Sequence, residues 1–211
     1  MNLQGNILIL TSWSFKDALV QTYTLPYINI IREILPASFK IIIVTEEQPP
    51  IDLSKNELAE INGQLSQKNL LLVPFHYKNF GWKKMIIWLG QLYKLWRLVQ
   101  NKKITTIHAF CMPAGTIGYI LSKLTGIPLI IDSYEPHAES MVENGTWTQN
   151  SFAFRLLSRF EKWQTKRAQH LIAATAGMKD YAKEKYGVNP QSFFIKPACV
   201  DLEKFSLQKK K

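Results

Sequence analysis

The sequence predicts an α/β domain in which a doubly wound parallel sheet of about seven strands is flanked by helices. Short apolar runs rich in β-branched residues alternate along the chain with longer segments of helical periodicity. This alternation is typical of strand–helix units that feed a parallel sheet covered on both faces. The 211 residues, 46% of them hydrophobic, suffice for one sizeable core. No stretch rich in glycine and serine divides the chain, so we predict a single domain.

The strands and helices follow from the apolar pattern in chain order. The apolar runs predict strands at residues 6–11, 39–44, 69–74, 104–109, 128–132, 170–174 and 192–195. The segments between them predict helices at about residues 24–35, 82–101, 113–125, 152–168 and 178–186. Gly126 and Pro128 end the third of these helices. Residues 45–68 are polar and fit neither pattern, so we assign no element there.

Composition and charge restrict the possible partners and location. Apolar runs fall far short of the roughly 18–20 residues of a membrane-spanning helix, and the first residues do not resemble a secretory signal. We therefore expect a cytoplasmic protein. The net charge of +10, to which the lysine run 209–211 contributes, favours an anionic partner such as nucleic acid, acidic lipid or a phosphorylated substrate. Cys111 and Cys199 are isolated and lack metal-ligand spacing, so we expect neither a disulfide nor a metal site.

Candidate ligand-binding residues follow the predicted strands, because open parallel sheets bind ligands beyond the carboxyl ends of their strands. In chain order these residues are Ser12, Trp13, Ser14 and Lys16, then His76 and Tyr77, then His108, Phe110 and Cys111, then residues 132–137, and finally Thr175.

The densest chemistry lies in IIDSYEPHAESM, residues 130–141, directly after the fifth predicted strand. It combines Asp132, Glu135 and His137. A partly shielded carboxylate or imidazole at a strand end can orient or deprotonate a hydroxyl group, because shielding moves its pKa toward neutrality. The alternative is structural: Asp132 caps the turn, Glu135 faces water and His137 begins a helix. The sequence leaves both interpretations open.

The last third of the chain carries an ordered set of motifs. EKWQTKRAQHLIAAT (161–175) is followed by AGMKDYAKEKYGVNP (176–190) and FFIKPACVDLEKF (193–205). This order resembles the close of the N-terminal domain of glycosyltransferase family 4. The segment DSYE (132–135) is similar to the acidic and histidine motif that the family carries after its fifth strand. LILTSWSFKDALVQTYTLPYI (8–28) resembles the family's opening strand, loop and helix.

The resemblance implies a Rossmann-like domain that forms one half of a GT-B fold. Residues 1–205 would be the acceptor-binding N-terminal domain, and residues 206–211 a basic tail or the start of a linker. The donor-binding domain would be absent from this chain, which alone is then expected to be inactive. The complete enzyme would transfer a sugar, with retained anomeric configuration and without a metal or other cofactor, from a nucleotide sugar to a polysaccharide or lipid-linked acceptor.

The resemblance also suggests roles for single residues. Glu135 and His137 are the catalytic candidates; the substrate-binding candidates are Trp13, Ser14, Lys16, His108, Asp132 and Tyr134. Three positions depart from the family pattern. The first loop, residues 12–17, contains no glycine that would let backbone amides approach phosphate. Tyr134 occupies the place of the usual histidine, and Ala198–Cys199 replaces the usual Asn-Gly.

The predicted helix at residues 82–101 suggests a second partner. Its basic and polar residues share one side, and its tryptophans and aliphatic residues cover the other; the first group is Lys83, Lys84, Gln91, Lys94, Arg97 and Asn101. Such a helix can rest on anionic lipid, which would place the protein on the inner face of the membrane. Alternatively, the apolar side packs on the sheet and the basic side is solvated.

Two other functions are weighed against sugar transfer. The first is a non-catalytic binding or adaptor protein of the same fold, paired with a separate donor-binding subunit. The second is nucleic-acid binding, which rests on net charge alone and is not expected, because no recognition motif is present.

Overall fold

The structure is a computed structural model that describes residues 5–76, 82–189 and 192–197. Its seven strands are β1 (Asn6–Thr11), β2 (Ile41–Glu47), β3 (Leu70–His76), β4 (Ile104–Phe110), β5 (Leu129–Asp132), β6 (His170–Ala173) and β7 (Phe193–Ile195). All pair in parallel, in the order β3-β2-β1-β4-β5-β6-β7. The predicted doubly wound parallel α/β fold is therefore confirmed.

Seven α-helices lie within the described residues. They are α1 (Leu25–Ile34), which a π-helical turn at Val20–Thr24 precedes, α2 (Lys55–Ser66), α3 (Trp82–Asn101), α4 (Met112–Thr125), α5 (His137–Glu143), α6 (Phe152–Arg167) and α7 (Gly177–Tyr186). The five helices predicted from the sequence are present. The helix α2 was not predicted, because it buries no residue and has a weak apolar stripe. The helix α5 was expected only in the structural alternative for residues 132–137, in which His137 begins a helix, and the structure confirms that start.

Three strands extend further than the sequence indicated, β4 by the single residue Phe110. β2 begins two residues late and continues to Glu47, because the buried Glu47 carboxylate accepts hydrogen bonds from the Thr45 hydroxyl and the Phe15 amide. β3 continues past Pro74. Proline has no backbone N–H to donate, and an edge strand such as β3 tolerates it because one side of the strand has no neighbouring strand to bond. His76 is thus the last residue of β3. Tyr77 and Cys199 lie outside the described residues.

Successive strand residues face opposite sides of the sheet, so two apolar clusters form. One packs α1 and α2 against strand residues Ile9, Ile41, Ile43, Leu70 and Leu72. The other packs α3 and α4 against strand residues Leu8, Leu10, Ile42, Ile107 and Ile131. α6 packs on α4, where Gln164 Nε2 donates to the Met112 carbonyl over 3.2 Å. We call these two sides the α1–α2 face and the α3–α4–α6 face.

The topology defines where a ligand would bind. From β1 the chain winds outward to β3 in one direction, then crosses to β4 and winds outward to β7 in the other. The reversal lies between β1 and β4, so the carboxyl ends of these strands, with β5 beside them, form the crevice that open α/β sheets use for ligands.

Candidate functional site

Asp132, the last residue of β5, lies buried at this edge and is the centre of a polar cluster. Its Oδ2 lies 3.1 Å from His108 Nε2 and also accepts a hydrogen bond from Lys196 Nζ. Its Oδ1 accepts from the Ser133 amide over 2.7 Å and from the Tyr23 hydroxyl over 3.4 Å. Groups from β4, from the residues after β5 and β7, and from the turn before α1 therefore converge on one carboxylate.

The electrostatic balance of the cluster keeps Asp132 ionised. Burial alone would raise the pKa of Asp132, but the hydrogen bond from His108 and the charges of His108 and Lys196 outweigh burial and hold that pKa below its usual range. A buried carboxylate is stable only when it is paired and hydrogen-bonded. Asp132 meets both conditions, so its charge holds these elements together.

Aromatic rings surround the ammonium group of Lys196. Lys196 Nζ lies 3.9 Å from the ring centroid of Tyr27, 4.6 Å from that of Tyr23 and 5.1 Å from that of Phe110, within the range of cation–π attraction. The His108 ring stacks on Phe110 with centroids 4.8 Å apart, because residues two apart on a strand share a face. We call this group the Asp132 cluster; its members are Tyr23, Tyr27, His108, Phe110, Asp132 and Lys196.

Glu135 and His137 form a second, solvent-facing group at the start of α5. Glu135 Oε1 lies 3.1 Å from His137 Nδ1, and the side chains are 50% and 20% exposed respectively. The Glu135 carboxylate keeps lone pairs directed at solvent, so it can accept a hydrogen bond from a ligand hydroxyl while His137 orients it. We call these two residues the Glu135–His137 pair.

A buried glutamate on α6 fixes the segment that carries this pair. Glu161 Oε1 accepts from the Ala138 amide and its Oε2 accepts from the Tyr186 hydroxyl, both over 2.7 Å. Burial raises the pKa of Glu161, an effect that the bonds from Tyr186 and Ala138 partly offset. The Tyr134 amide also donates to the Ile172 carbonyl over 2.9 Å. Together, these bonds clamp residues 134–138 onto α6, α7 and β6.

The remaining predicted site residues lie in three environments. The Tyr134 ring is in the core, with its hydroxyl 3.3 Å from Thr165 Oγ1. Ser14 is buried, and its hydroxyl accepts from the Gln48 amide over 2.7 Å, which ties the loop after β1 to the end of β2. Lys16 pairs with Glu57 of α2 over 2.6 Å at the surface. Trp13 is partly buried and packs against both apolar clusters. The structure thus brings His108 and Asp132 together and does not bring Lys16 to them.

The backbone is strained beside the Asp132 cluster. Cys111 has φ 70° and ψ 163°, a region that is essentially restricted to glycine and costs about 1–3 kcal/mol for other residues. Ser133 also has a positive φ, of 54°. The Cys111 amide donates to the Asp132 carbonyl over 2.9 Å, which helps to hold this conformation. Burial raises the pKa of the Cys111 thiol to about 12, so the thiol stays protonated.

A small cavity lies at the carboxyl ends of β1, β2 and β3, beneath α3. Its volume is about 20 Å³, and Phe75, Trp88 and Leu92 form much of its apolar wall. Glu46 is the ionisable residue in this wall, and burial raises its pKa to about 7.

Sequence reasoning missed three members of the Asp132 cluster: Tyr23, Tyr27 and Lys196. The rule that selected residues after strands would have found Lys196, which directly follows β7, had it been applied to the last strand. Tyr23 and Tyr27 are four residues apart and stack edge to face with centroids 5.1 Å apart, so their helical spacing was the available signal.

Two kinds of site are not found in the described residues. In that part of the chain, no three His, Cys, Asp or Glu side chains are grouped so that they could hold a metal ion. None of the described helices has the length and apolar character needed to cross a bilayer.

Comparison with solved structures places the fold among GT-B glycosyltransferases. The chain is similar to sucrose-phosphate synthase from Thermosynechococcus elongatus, with a TM-score of 0.59 and 11% identity over 96% of this chain and 50% of that one. It is similar to Anabaena HepE in complex with UDP and glucose, with a TM-score of 0.56 and 15% identity over 90% of this chain and 44% of that one. It is also similar to Phytolacca americana UGT2 complexed with UDP-2fluoro-glucose and pterostilbene, with a TM-score of 0.56 and 10% identity over 92% of this chain and 54% of that one.

The sequence itself defines the family. Residues 27–204 match the family model of Glycosyltransferase Family 4, and the chain belongs to that family. No curated protein matches the sequence significantly. The chain spans about half the length of the solved structures to which it is similar.

Proposed function

We propose that the chain is the acceptor-binding N-terminal half of a retaining glycosyltransferase, which transfers a sugar from a nucleotide sugar to a polysaccharide or lipid-linked acceptor. The observation that carries the proposal is the position of the Glu135–His137 pair. It is partly exposed to solvent and follows Asp132, the centre of a buried charged cluster, at the carboxyl edge where the sheet reverses its winding. Membership of Glycosyltransferase Family 4 supports the reaction class.

Each part of the site has a proposed role. Glu135 accepts a hydrogen bond from the acceptor hydroxyl and orients its oxygen, and His137 holds the carboxylate through the bond to Oε1. The Asp132 cluster supports this segment and does not exchange a proton, because its charges are already paired. Trp13, Ser14, Lys16, His108 and Tyr134 remain candidates that shape or line the acceptor pocket.

The donor site is proposed to lie outside these residues. The chain spans about half of its structural relatives, and the HepE and UGT2 structures contain UDP or a UDP-sugar. We infer that residues 1–205 form the acceptor domain, that residues 206–211 are a tail or the start of a linker, and that a further domain or subunit holds the nucleotide sugar. No metal or other cofactor is part of this proposal.

Saturation-transfer NMR on the 211-residue chain tests the proposal. The ligand panel contains oligosaccharides, polyprenyl-phosphate sugars and UDP-glucose. We expect saturation of oligosaccharide or lipid-linked sugar protons and little of UDP-glucose, with loss of the sugar signal in Glu135→Gln and His137→Ala. Glu143→Gln, the same change at the exposed far end of α5, is the matched control.

Two results would contradict this assignment. Strong UDP-glucose binding that does not depend on Glu135 would mean that the chain holds the donor. Absence of binding to every panel member, together with co-purification of a second Rossmann-like subunit, would favour the adaptor protein instead.

A further inference from the structure

We propose that the α3–α4–α6 face binds an anionic lipid bilayer. This inference rests on the charge and apolar exposure of that face and does not depend on the proposed transfer reaction. It extends the expectation for the helix at residues 82–101 to three helices on one side of the sheet.

The basic residues are concentrated on this side. The sequences of α3, α4 and α6 contain ten lysines and arginines and a single acidic residue, Glu161. Glu161 is 1% exposed and turned inward, so it does not weaken the outward positive charge. The helices α1 and α2 contain two basic and three acidic residues. α7, which packs on the same apolar cluster, has three lysines and two acidic residues. The sequences of the helices on this side are therefore more basic than those of α1 and α2, and this difference attracts an anionic surface.

Apolar side chains are exposed among these charges. On α3, Leu95 and Val99 are buried on the sheet, whereas Ile86, Leu89 and Tyr93 are 75%, 52% and 56% exposed. These three residues follow helical spacing and form an outward strip. The sheet thus covers only part of the apolar surface of α3, and the exposed part is available to a partner.

α6 repeats the combination of charge and exposed ring. Trp163 is 43% exposed, and its ring packs against Tyr119 of α4 and Phe160, with centroids 6.1 Å and 5.4 Å away. Arg159 and Lys162 are exposed beside it. A fixed tryptophan edge among basic residues suits the headgroup region of a bilayer, where an amphipathic ring has one apolar and one wet side.

Other occupants fit these observations less well. A second copy of the same face would bring two sets of positive charges together, which like-charge repulsion opposes. Nucleic acid would use the charge but not the aliphatic strip of Ile86 and Leu89, since its backbone binds through basic and polar groups. An anionic bilayer uses both features.

Vesicle co-sedimentation of the 211-residue chain provides the test. The vesicles are phosphatidylcholine alone and phosphatidylcholine mixed with phosphatidylglycerol, each across a salt series. We expect binding to the anionic vesicles that weakens as salt rises and little binding to the neutral ones. Ile86→Ser/Leu89→Ser removes aliphatic carbon from the strip and should lower the partition coefficient about tenfold or more. Arg159→Gln/Lys162→Gln should lower it about fivefold for each residue.

Two matched variants on the other face are the controls. Ile30→Ser/Ile34→Ser makes the same change on α1, where these side chains are 50% and 78% exposed. Lys55→Gln/Lys68→Gln removes two exposed lysines at the ends of α2. Both should leave the partition coefficient unchanged, and the thermal unfolding midpoint of each variant verifies that the fold is intact.

Three outcomes would overturn the proposal: equal binding to neutral and anionic vesicles, equal loss in the control and α3–α4–α6 variants, or no vesicle binding at low salt. Duplex DNA is run in parallel. Tight DNA binding that Arg159→Gln/Lys162→Gln abolishes and Ile86→Ser/Leu89→Ser spares, with no vesicle binding, would assign the face to nucleic acid.

Discussion

Asp132, the centre of its cluster, and the Glu135–His137 pair lie in one short segment, yet they differ in burial and in bonding. Asp132 is 1% exposed and accepts hydrogen bonds from four groups. Glu135 is half exposed, bonds His137 and faces solvent. Only two residues lie between Asp132, whose carboxylate oxygens are both hydrogen-bonded, and Glu135, whose carboxylate can still accept a hydrogen bond from a ligand.

This difference separates residues that hold the site together from residues that can act in it. An unpaired charge is costly in the interior and cheap at the surface. Substitutions in the Asp132 cluster should therefore lower stability, whereas substitutions in the Glu135–His137 pair should change ligand binding and leave stability nearly unchanged.

The largest effect is expected from Asp132→Ala. It leaves the ammonium of Lys196 and the ring of His108 without their shared acceptor, and loss of one partner of a buried ion pair costs about 3–5 kcal/mol. Urea denaturation measures the change in the free energy of unfolding. A loss below about 1 kcal/mol would show that the cluster behaves like a surface pair.

Glu161→Ala is expected to have the next largest effect. It removes the acceptor of the Ala138 amide and the Tyr186 hydroxyl, and an unsatisfied buried donor costs about 1–3 kcal/mol. We expect a loss of about 2–4 kcal/mol in the free energy of unfolding, measured as above. Glu143→Ala, at an exposed position on α5, should change it little. Equal losses in Glu161→Ala and Glu143→Ala would contradict the proposal that Glu161 holds residues 134–138 against α6 and α7.

The pH dependence of stability reports on Glu46. The folded pKa of Glu46, about 7, lies above its usual value of 4.5, so the folded state binds this proton more tightly than the unfolded state. Its contribution to stability is therefore complete below about pH 4.5 and is lost as pH rises through about 7. Relative to Glu46→Gln, the wild-type chain should lose about 1–3 kcal/mol between pH 4.5 and 8. Parallel pH profiles of the two chains would contradict this expectation.

The smallest effect is expected from Glu135→Gln and His137→Ala. The Glu135 side chain is half exposed and that of His137 is 20% exposed. We therefore expect Glu135→Gln to change the free energy of unfolding by less than about 0.5 kcal/mol and His137→Ala by less than about 1 kcal/mol. Thermal and urea unfolding both measure it. Destabilisation comparable to that of Asp132→Ala would mean that the pair belongs to the structural part of the site.

Much of the fold could be predicted because the central strands are buried on both faces. Such strands form continuous apolar runs, as in Ile7–Leu10, and the long helices between them have clear periodicity. α2 was missed because it packs only lightly and its sequence is mostly polar. The sequence nonetheless indicates its start by a capping box. The Ser54 hydroxyl accepts a hydrogen bond from the Glu57 amide, and the Glu57 carboxylate accepts one from the Ser54 amide.

The candidate site could be predicted only in part. Asp132 and His108 follow from the rule that ligands lie at strand ends, and the structure joins them. The same rule points to Lys196, which follows β7, but its contact with Asp132 joins residues 64 apart in the sequence, and no local pattern indicates that contact. The burial of Tyr134 could not be predicted either. It depends on two long-range contacts: the Tyr134 hydroxyl lies beside Thr165 of α6, and the Tyr134 amide donates a hydrogen bond to the Ile172 carbonyl of β6.

Amide chemical-shift mapping tests the central claim most directly. The 211-residue chain is titrated with the glycan or lipid-linked sugar that gives the strongest saturation-transfer signal. Shift changes concentrated at residues 133–138 and around Tyr23 and Lys196, and absent in Glu135→Gln, would support an acceptor site at the carboxyl edge of the sheet. Changes confined to the amino-terminal ends of the strands or to the α3–α4–α6 face would contradict it.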